Sequence, residues 1–80
     1  MFRPAAYEVR GTLVARPAPN LLLVQHEEIA ALGMRAMELM AVFAEPAVVD
    51  RAGIAPGNRV RLAVRARNDE LQLVWVEKLP

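Results

Sequence analysis

The 80-residue sequence contains no cysteine and no serine, and it has a single histidine. The absence of cysteine excludes disulfide bonds, thiolate metal sites and cysteine nucleophiles, and it suits an oxidising compartment. Without serine no nucleophile–base pair of the hydrolase type can form, and Thr12 and Tyr7 carry the only side-chain hydroxyls. No glycine-rich phosphate loop is present, since Gly57 stands alone in its turn. We therefore predict that the protein is not an enzyme.

Long apolar runs are also missing. The longest candidate for a membrane span, residues 30–43, is interrupted by Arg35 and Glu38 and is shorter than the roughly 18 residues that a span requires. Hydrophobic residues make up 55% of the chain but aromatic residues only 5%, so the core must be built from aliphatic side chains and methionine. We predict one small soluble domain over residues 1–80, with residues 1–6 flexible and no membrane insertion.

An excess of charge of either sign is absent too. Ten Lys and Arg residues stand against nine Asp and Glu residues, which gives a formal net charge of +1. This balance predicts no strong attraction to nucleic acid or to an anionic membrane. Nine of the ten cations are arginines, however, and four of them fall within residues 58–67.

Two β-hairpins are predicted from alternating apolar and polar residues. Residues 7–15 (YEVRGTLVA) alternate, and residues 21–25 (LLLVQ) follow a turn that contains Pro17, Pro19 and Asn20. Residues 58–67 (NRVRLAVRAR) form the clearest alternating strand, after the turn-forming residues 55–58 (APGN). Asn68 and Asp69 then turn the chain into residues 71–76 (LQLVWV).

The segment between the hairpins is ambiguous. Glu, Ala, Leu, Met and Arg dominate residues 27–45 and favour a helix, whereas residues 37–39 alternate as a strand does. Residues 46–50 (PAVVD) are typical of a short turn or helical cap. Two architectures follow: β-β-α-β-β with a helix over about 27–44, or a five-stranded antiparallel OB-like barrel with a third strand at 37–44. Periodicity alone slightly favours the helix.

Residues 26–40 (HEEIAALGMRAMELM) hold the only histidine and every methionine except the first. Thioether and imidazole ligands together favour Cu(I) or Ag(I), because hard or borderline ions gain little from a neutral sulfur. Zinc would require cysteine, more histidine or carboxylate ligands. The alternative is that these methionines fill an irregular core, which methionine at helical spacing does more often than it binds metal.

The same stretch, followed by residues 45–64 (EPAVVDRAGIAPGNRVRLAV), resembles the CusF-like family of small periplasmic copper- and silver-binding domains. In that family a histidine ends the second strand and a Met-x-Met pair lies in the third. The similarity covers roughly residues 9–76, and Gly11 fits the family's V-x-G-x-V opening. The resemblance implies the five-stranded OB-like barrel rather than the helix.

Carried over by position, the family's histidine falls on His26 and its metal-capping tryptophan on Met34. Its paired methionines fall on Met37 and on Leu39, which cannot bind metal, while Met40 follows one residue later. We predict a metal site of His26, Met34, Met37 and Met40, with Glu27, Glu28 and Leu39 placed to support it, and either glutamate able to orient the imidazole.

Met40 can join the predicted metal site only if its side chain is on the same face as that of Met37. On a regular strand Met37 and Leu39 share one face and Met40 points to the other. A β-bulge near Glu38 or Leu39 would turn Met40 to the Met37 face, and a helix would align the three methionines, which are spaced three residues apart.

The resemblance also implies a function, which is to hold Cu(I) or Ag(I) outside the cytoplasm as a metallochaperone or sequestration domain. The partner would be a copper efflux or copper-delivery protein, and the location would be the periplasm. The N-terminus has no apolar signal-peptide core, which predicts either a cytosolic protein or a mature or excised domain, and the periplasmic location that the resemblance implies favours the second. We also expect a monomer.

The arginine-rich strand supports a rival hypothesis. Small OB-like barrels bind single-stranded nucleic acid on basic grooves with stacked aromatic side chains. Arg59, Arg61 and Arg65 would line such a face, with Trp75 or Tyr7 stacking a base. The balanced net charge argues against nucleic acid, and the same face could instead dock an acidic protein or form internal ion pairs.

Overall fold

The computed structural model of the chain describes residues 6–27 and 38–80. Within these ranges five strands form a closed barrel in the order β1-β2-β3-β5-β4, with one short helix between β3 and β4. The elements are β1 (Tyr7–Ala18), β2 (Leu21–His26), β3 (Glu38–Phe43), α1 (Pro46–Ala52), β4 (Arg59–Arg67) and β5 (Glu70–Lys78). The five-stranded OB-like barrel predicted from the resemblance is thereby confirmed.

Both predicted hairpins are present, and their turns follow from the local residues. Asn68 and Asp69 connect β4 to β5 with φ angles of 52° and 63°, the left-handed conformation that a two-residue hairpin turn requires. Asparagine and aspartate adopt this conformation more readily than other residues with a Cβ atom. The turn therefore fixes the register of the β4–β5 pair.

Strand β1 is long enough to belong to both halves of the barrel. Its first half pairs with β4 from Tyr7 to Thr12, and its second half pairs with β2 from Gly11 to Ala18. Register shifts at Ala15 bend the strand between these partners, as β-bulges do at barrel corners.

The central segment contains strand β3 where the alternative architecture placed a helix. Residues 38–43 form a strand, with Met40 and Val42 buried and Leu39 and Ala41 exposed. The alternative helix over 27–44 is therefore wrong for residues 38–43, because packing of one strand face outweighs helical propensity. Residues 28–37 of that segment lie outside the described residues.

Barrel closure rests on the one parallel contact. Strands β3 and β5 pair in parallel at Val42 with Leu71 and at Phe43 with Gln72, while the four other pairs are antiparallel. Parallel neighbours require a long crossover connection, and α1 lies in it. The helix begins with Pro46 and ends at Ala52, and Gly53 caps it with a φ of 65°, the usual left-handed conformation.

The barrel interior is aliphatic. The buried hydrophobic side chains that pack together are Val9, Leu13, Leu22, Val24, Met40, Val42, Val49, Val60, Leu62 and Val64. Val49 reaches this core from α1. Among the described residues, no helix has both the length and the apolar character to cross a membrane.

Candidate metal-binding site

His26 is the last residue of β2 and its side chain lies inside the barrel. Leu22, Val24 and His26 are buried and alternate with half-exposed residues, as expected for a strand with one face on the core. The side chain of His26 is 1% exposed, and it is the one buried polar side chain in the described part of the chain. A buried imidazole in an aliphatic core needs partners for both ring nitrogens.

Within the described residues, only one of those nitrogens has a partner. The Nδ1 atom lies 2.6 Å from the main-chain oxygen of Glu27. Because a carbonyl oxygen only accepts, Nδ1 must carry the proton and donate it, which leaves a lone pair on Nε2 of the neutral ring. The Nε2 atom is buried and has no hydrogen-bond partner within residues 6–27 and 38–80. This arrangement leaves Nε2 available to a metal ion.

Glu27 supports the imidazole differently from the sequence prediction. Its main-chain oxygen accepts from His26, and its main-chain nitrogen donates to the carbonyl of Arg10 at 3.0 Å. Its carboxylate instead lies 3.9 Å from the Arg59 guanidinium. The backbone of Glu27, rather than its charge, therefore fixes the tautomer and orientation of the ring.

Gly11 sets how closely β1 approaches His26. The two residues are paired across the β1–β2 ladder. A Cβ atom on Gly11 would overlap the Gln25 carbonyl oxygen and would lie 2.9 Å from the His26 Cα and 3.0 Å from the Val24 Cγ1. Any larger residue must therefore displace the backbone that carries the imidazole, and Gly11 is a positioning residue for His26.

Met40 shares the interior with His26. Its side chain is 1% exposed and it pairs across the β2–β3 ladder with Val24, two residues before His26. Such diagonal neighbours on one sheet face are about 7 Å apart, within reach of a long side chain. The thioether and the imidazole therefore lie on the same inner face.

The bulge considered from the sequence does not occur within β3. The β2–β3 register runs without a shift from Glu38 to Phe43, and Met40 faces inward on a regular strand. Leu39 is 57% exposed on the outer face. The residue at the family's second methionine position thus points away from His26, and the next residue points toward it.

The other predicted site residues lie outside the described residues. These are Met34, Met37 and Glu28. Among the residues that are described, no group of three or more His, Asp or Glu side chains could hold a metal ion. Of the described residues, Met40 is the one that places a sulfur donor on the inner face with His26, as the soft-ligand hypothesis requires.

Glu38 is a neighbour that the sequence reasoning did not identify as a ligand. It is the first residue of β3 and pairs directly with His26. Directly paired residues of antiparallel strands project from the same face, so Glu38 stands beside the imidazole at the end of the strand pair, where it is exposed. Only the register between the ends of β2 and β3 could have indicated this proximity.

The arginine-rich strand is β4, and its central cation is matched by acidic partners. The Arg61 guanidinium lies 3.3 Å from the Glu8 carboxylate and 2.7 Å from that of Glu77. It also lies 5.3 Å from the centre of the Trp75 ring. These contacts tie β4 to β1 and β5 and leave Arg61 little capacity for an external anion.

The two flanking arginines differ. Arg59 faces Glu27 at the distance given above. Arg65 is half-buried and has no ion-pair or hydrogen-bond partner for its side chain in the described ranges. One unmatched arginine of the three predicted gives a weak platform for nucleic acid.

Comparisons with known proteins agree with this geometry. The family model described as "Copper binding periplasmic protein CusF" matches residues 6–78. A comparison with curated protein sequences gives no match. The structure of apo-CusF from Escherichia coli matches with a TM-score of 0.83 at 15% identity, covering 98% of this chain and 92% of that chain.

Metal-bound structures match as well. A crystal structure of Ag(I)CusF has a TM-score of 0.79 at 15% identity, with coverage of 95% of this chain and 100% of that one. CusF–Ag(I) from Escherichia coli has a TM-score of 0.78 at 16% identity, with coverage of 96% and 95%. At such identities these structures establish the shared fold, and the family model covers nearly the whole chain.

Proposed function

Because the chain belongs to the CusF family of copper-binding periplasmic proteins, we propose that it binds Cu(I), and Ag(I) in the same way, through His26 and methionine thioethers. The observation that carries the proposal is the His26 Nε2 atom, which is buried and has no hydrogen-bond partner in the described part of the chain. A polar atom left in this state is costly unless a ligand completes it.

Met40 is the second ligand in this proposal. Its sulfur is on the face that carries His26, and a neutral thioether needs no deprotonation before it binds a soft ion. Met34 and Met37 are proposed as further ligands on the family resemblance alone. Leu39 is left out, because its side chain is exposed on the outer face.

The ligand set suits a protein that releases its metal. Each thioether can be exchanged singly for a ligand of an acceptor protein, without a proton being taken up. We therefore propose a metallochaperone or sequestration role in the periplasm, with a copper efflux or copper-delivery protein as the acceptor and a monomer as the working form.

A competition titration tests the proposal. The purified domain is titrated anaerobically with Cu(I) against a chromophoric competitor, in parallel with His26→Gln, Met40→Leu and Met37→Leu. We expect one equivalent to bind, with the affinity lowered at least about tenfold by Met40→Leu and further by His26→Gln, because even outer partners of metal ligands contribute 10- to 100-fold. Methionine-to-leucine exchange preserves volume, so folding should be retained.

Leu39→Met is the matched control. It adds a thioether to the outer face next to Met40 and should leave Cu(I) affinity unchanged. Failure of the unmodified domain to compete would contradict copper binding at this site. If Met40→Leu left tight Cu(I) binding unchanged, Met40 would instead be a core residue and not a ligand.

A further inference from the structure

We propose that the outer face of strands β2 and β3 is a docking surface for an amphipathic helix of a partner protein, with an apolar stripe and basic residues beside it. The inference goes beyond metal binding and does not rest on it. It follows from the composition of this face, from its size and from the charges at the two ends of β3.

The strand pairing defines the face. Because alternate residues of β2 from Leu22 to His26 are buried, the residues between them point outward, and their direct partners on β3 share that side. The outward pairs, which we call the apolar face, are Gln25 with Leu39, Leu23 with Ala41, and Leu21 with Phe43. None of these residues carries a charge, and all but Gln25 are hydrophobic.

The apolar face is accessible to a partner. Leu39 is 57% exposed, Ala41 is also exposed, and the remaining members are half-exposed. The adjoining row of β1 is small and uncharged, with Thr12, Ala15 and Ala18 paired to the same residues of β2. Contiguous apolar surface of this kind on a small domain marks an interaction site, because a sheet with an apolar side is stabilised by a second layer packed on it.

The dimensions of the apolar face match one helix rather than a second barrel. Two strands about 4.8 Å apart, with three outward pairs spaced about 6.6 Å along them, give a face of about 10 by 20 Å, or about 200 Å². A stable dimer buries about 800 Å² on each partner, so this face is too small to hold two copies together. An α-helix is about 10–12 Å wide and rises about 1.5 Å per residue, so about 13 residues of helix cover the face.

Acidic residues at both ends of β3 define the charge of the partner. Glu38 is the first residue of β3 and Glu45 follows its last residue by two, and both are exposed. Neither has an ion pair with a residue of the described ranges. Arg10 and Arg59 lie on β1 and β4, on the far side of β2 from these acids. A helix with basic residues beside its apolar stripe therefore meets opposite charge along β3.

The test uses a synthetic amphipathic helix as the probe. The peptide has about 15 residues of leucine and lysine, arranged so that lysines border a leucine stripe, and a second peptide carries glutamate in place of lysine. Each is titrated into the metal-free, isotope-labelled domain, and NMR follows the backbone amides of every strand. Sedimentation of the domain alone measures its self-association.

We expect the lysine peptide to shift the amides of β2 and β3 and not those of β4. Leu39→Lys should weaken its binding at least about tenfold, because a charge that repels the peptide replaces an exposed leucine. Val74→Lys is the matched control, since Val74 of β5 is 39% exposed and the same charge is added outside the apolar face. It should change the affinity by less than about twofold.

Two further measurements test the charge requirement and the fold. Glu45→Gln should weaken the lysine peptide by about two- to threefold, and the glutamate peptide should bind at least about tenfold more weakly than the lysine peptide. Circular dichroism verifies folding of each variant. Ala41→Lys, at the second exposed position of the face, repeats the test if Leu39→Lys does not fold.

Three results would overturn the inference. These are the absence of amide shifts in β2 and β3 at millimolar peptide, shifts confined to β4 and β5, and equal peptide affinity in Leu39→Lys and Val74→Lys. A domain that forms dimers which Leu39→Lys dissociates would instead assign the apolar face to a second copy of the chain. The peptide titrations contain no copper, so their outcome is independent of whether the proposed function holds.

Discussion

The buried end of β2 and the outer face of β4 differ in how many partners surround their polar side chains. Inside, His26 Nε2 is buried with no hydrogen-bond partner in the described part of the chain. Outside, the half-exposed Arg61 lies between two carboxylates and against the ring of Trp75. The first region holds a buried polar atom without a partner among the described residues, and the second holds a charge that lies next to two carboxylates and an aromatic ring.

This difference makes the region around His26, rather than the arginine-rich strand, the candidate site for an external ligand. The arginine-rich strand is the more conspicuous feature in the sequence, yet its central cation is occupied by the protein's own groups. Exposed ion pairs contribute little to stability individually, but together they hold three neighbouring strands in register. The isolated imidazole is the better candidate for an external ligand, because a buried acceptor without a partner lowers stability until something completes it.

The largest effect on the region around His26 is expected from a substitution of Gly11, which lies against the His26 backbone. Gly11→Ala forces a Cβ atom into the Gln25 carbonyl and the His26 backbone, so β1 and β2 must move apart. We expect the free energy of unfolding to fall by about 2–3 kcal/mol, in the range for overpacking in a tight site. Urea denaturation measures this loss, and a Cu(I) titration of the folded variant should show weakened binding.

Arg10→Ala is the control for Gly11→Ala, since Arg10 is the adjacent residue of β1 and is exposed. It should change the unfolding free energy by less than about 0.5 kcal/mol. A Gly11→Ala variant as stable as the parent would mean that β2 can shift without penalty. Gly11 would then lose its role in positioning His26.

A smaller effect of opposite sign is expected from His26→Leu. Leucine fills a comparable volume with no polar atom, and removing an unsatisfied acceptor outweighs the lost Nδ1 hydrogen bond to Glu27. We expect the metal-free variant to be more stable by about 1 kcal/mol. Cu(I) should raise the melting temperature of the parent and not that of the variant, because a ligand stabilises only the state that binds it.

Leu22→Ile supplies the control for this variant, because Leu22 is an inward residue of the same strand that lies away from Glu38. It should leave the response to Cu(I) intact. A metal-free His26→Leu protein that is less stable than the parent by more than about 1 kcal/mol would identify His26 as a structural residue with satisfied partners.

Much of this contrast is accessible from sequence, because strand alternation is a local signal. The pattern in residues 58–67 predicts that Val60 and Leu62 face inward while the arginines face outward, and β4 has this arrangement. The family resemblance leads to His26 and to the barrel. Local pattern alone favours a helix where β3 forms, since the residues there are good helix formers and only partner strands make them extended.

The remaining features depend on the register between strands, which a local pattern does not reveal where no tight turn joins the two strands. Met40 faces inward and Leu39 outward because Glu38 pairs with His26. A one-residue slip would exchange the two faces. The proximity of Glu38 to the imidazole follows from this pairing, and the three partners of Arg61 follow from the pairing of β4 with β1 and β5. Neither is visible before the strands are assembled.

The smallest expected effect belongs to the outer face. Arg61→Met keeps an unbranched apolar stem but removes the charge between Glu8 and Glu77 and the contact with Trp75. We expect the free energy of unfolding to fall by about 1 kcal/mol or less, and the loss to shrink at high salt as the ion pairs are screened. Cu(I) affinity should not change, because no contact of Arg61 reaches His26.

Arg67→Met is the matched control, since Arg67 is exposed at the end of the same strand and has no side-chain partner in the described ranges. Trp75 is the single tryptophan, so its fluorescence reports directly on the loss of the Arg61 contact. A fall in Cu(I) affinity in Arg61→Met, with Arg67→Met unchanged, would show that the outer face and the imidazole are coupled through the barrel wall. The arginine-rich strand β4 would then set the position of β1, with which it pairs. Gly11 of β1 would in turn set the position of His26 on β2.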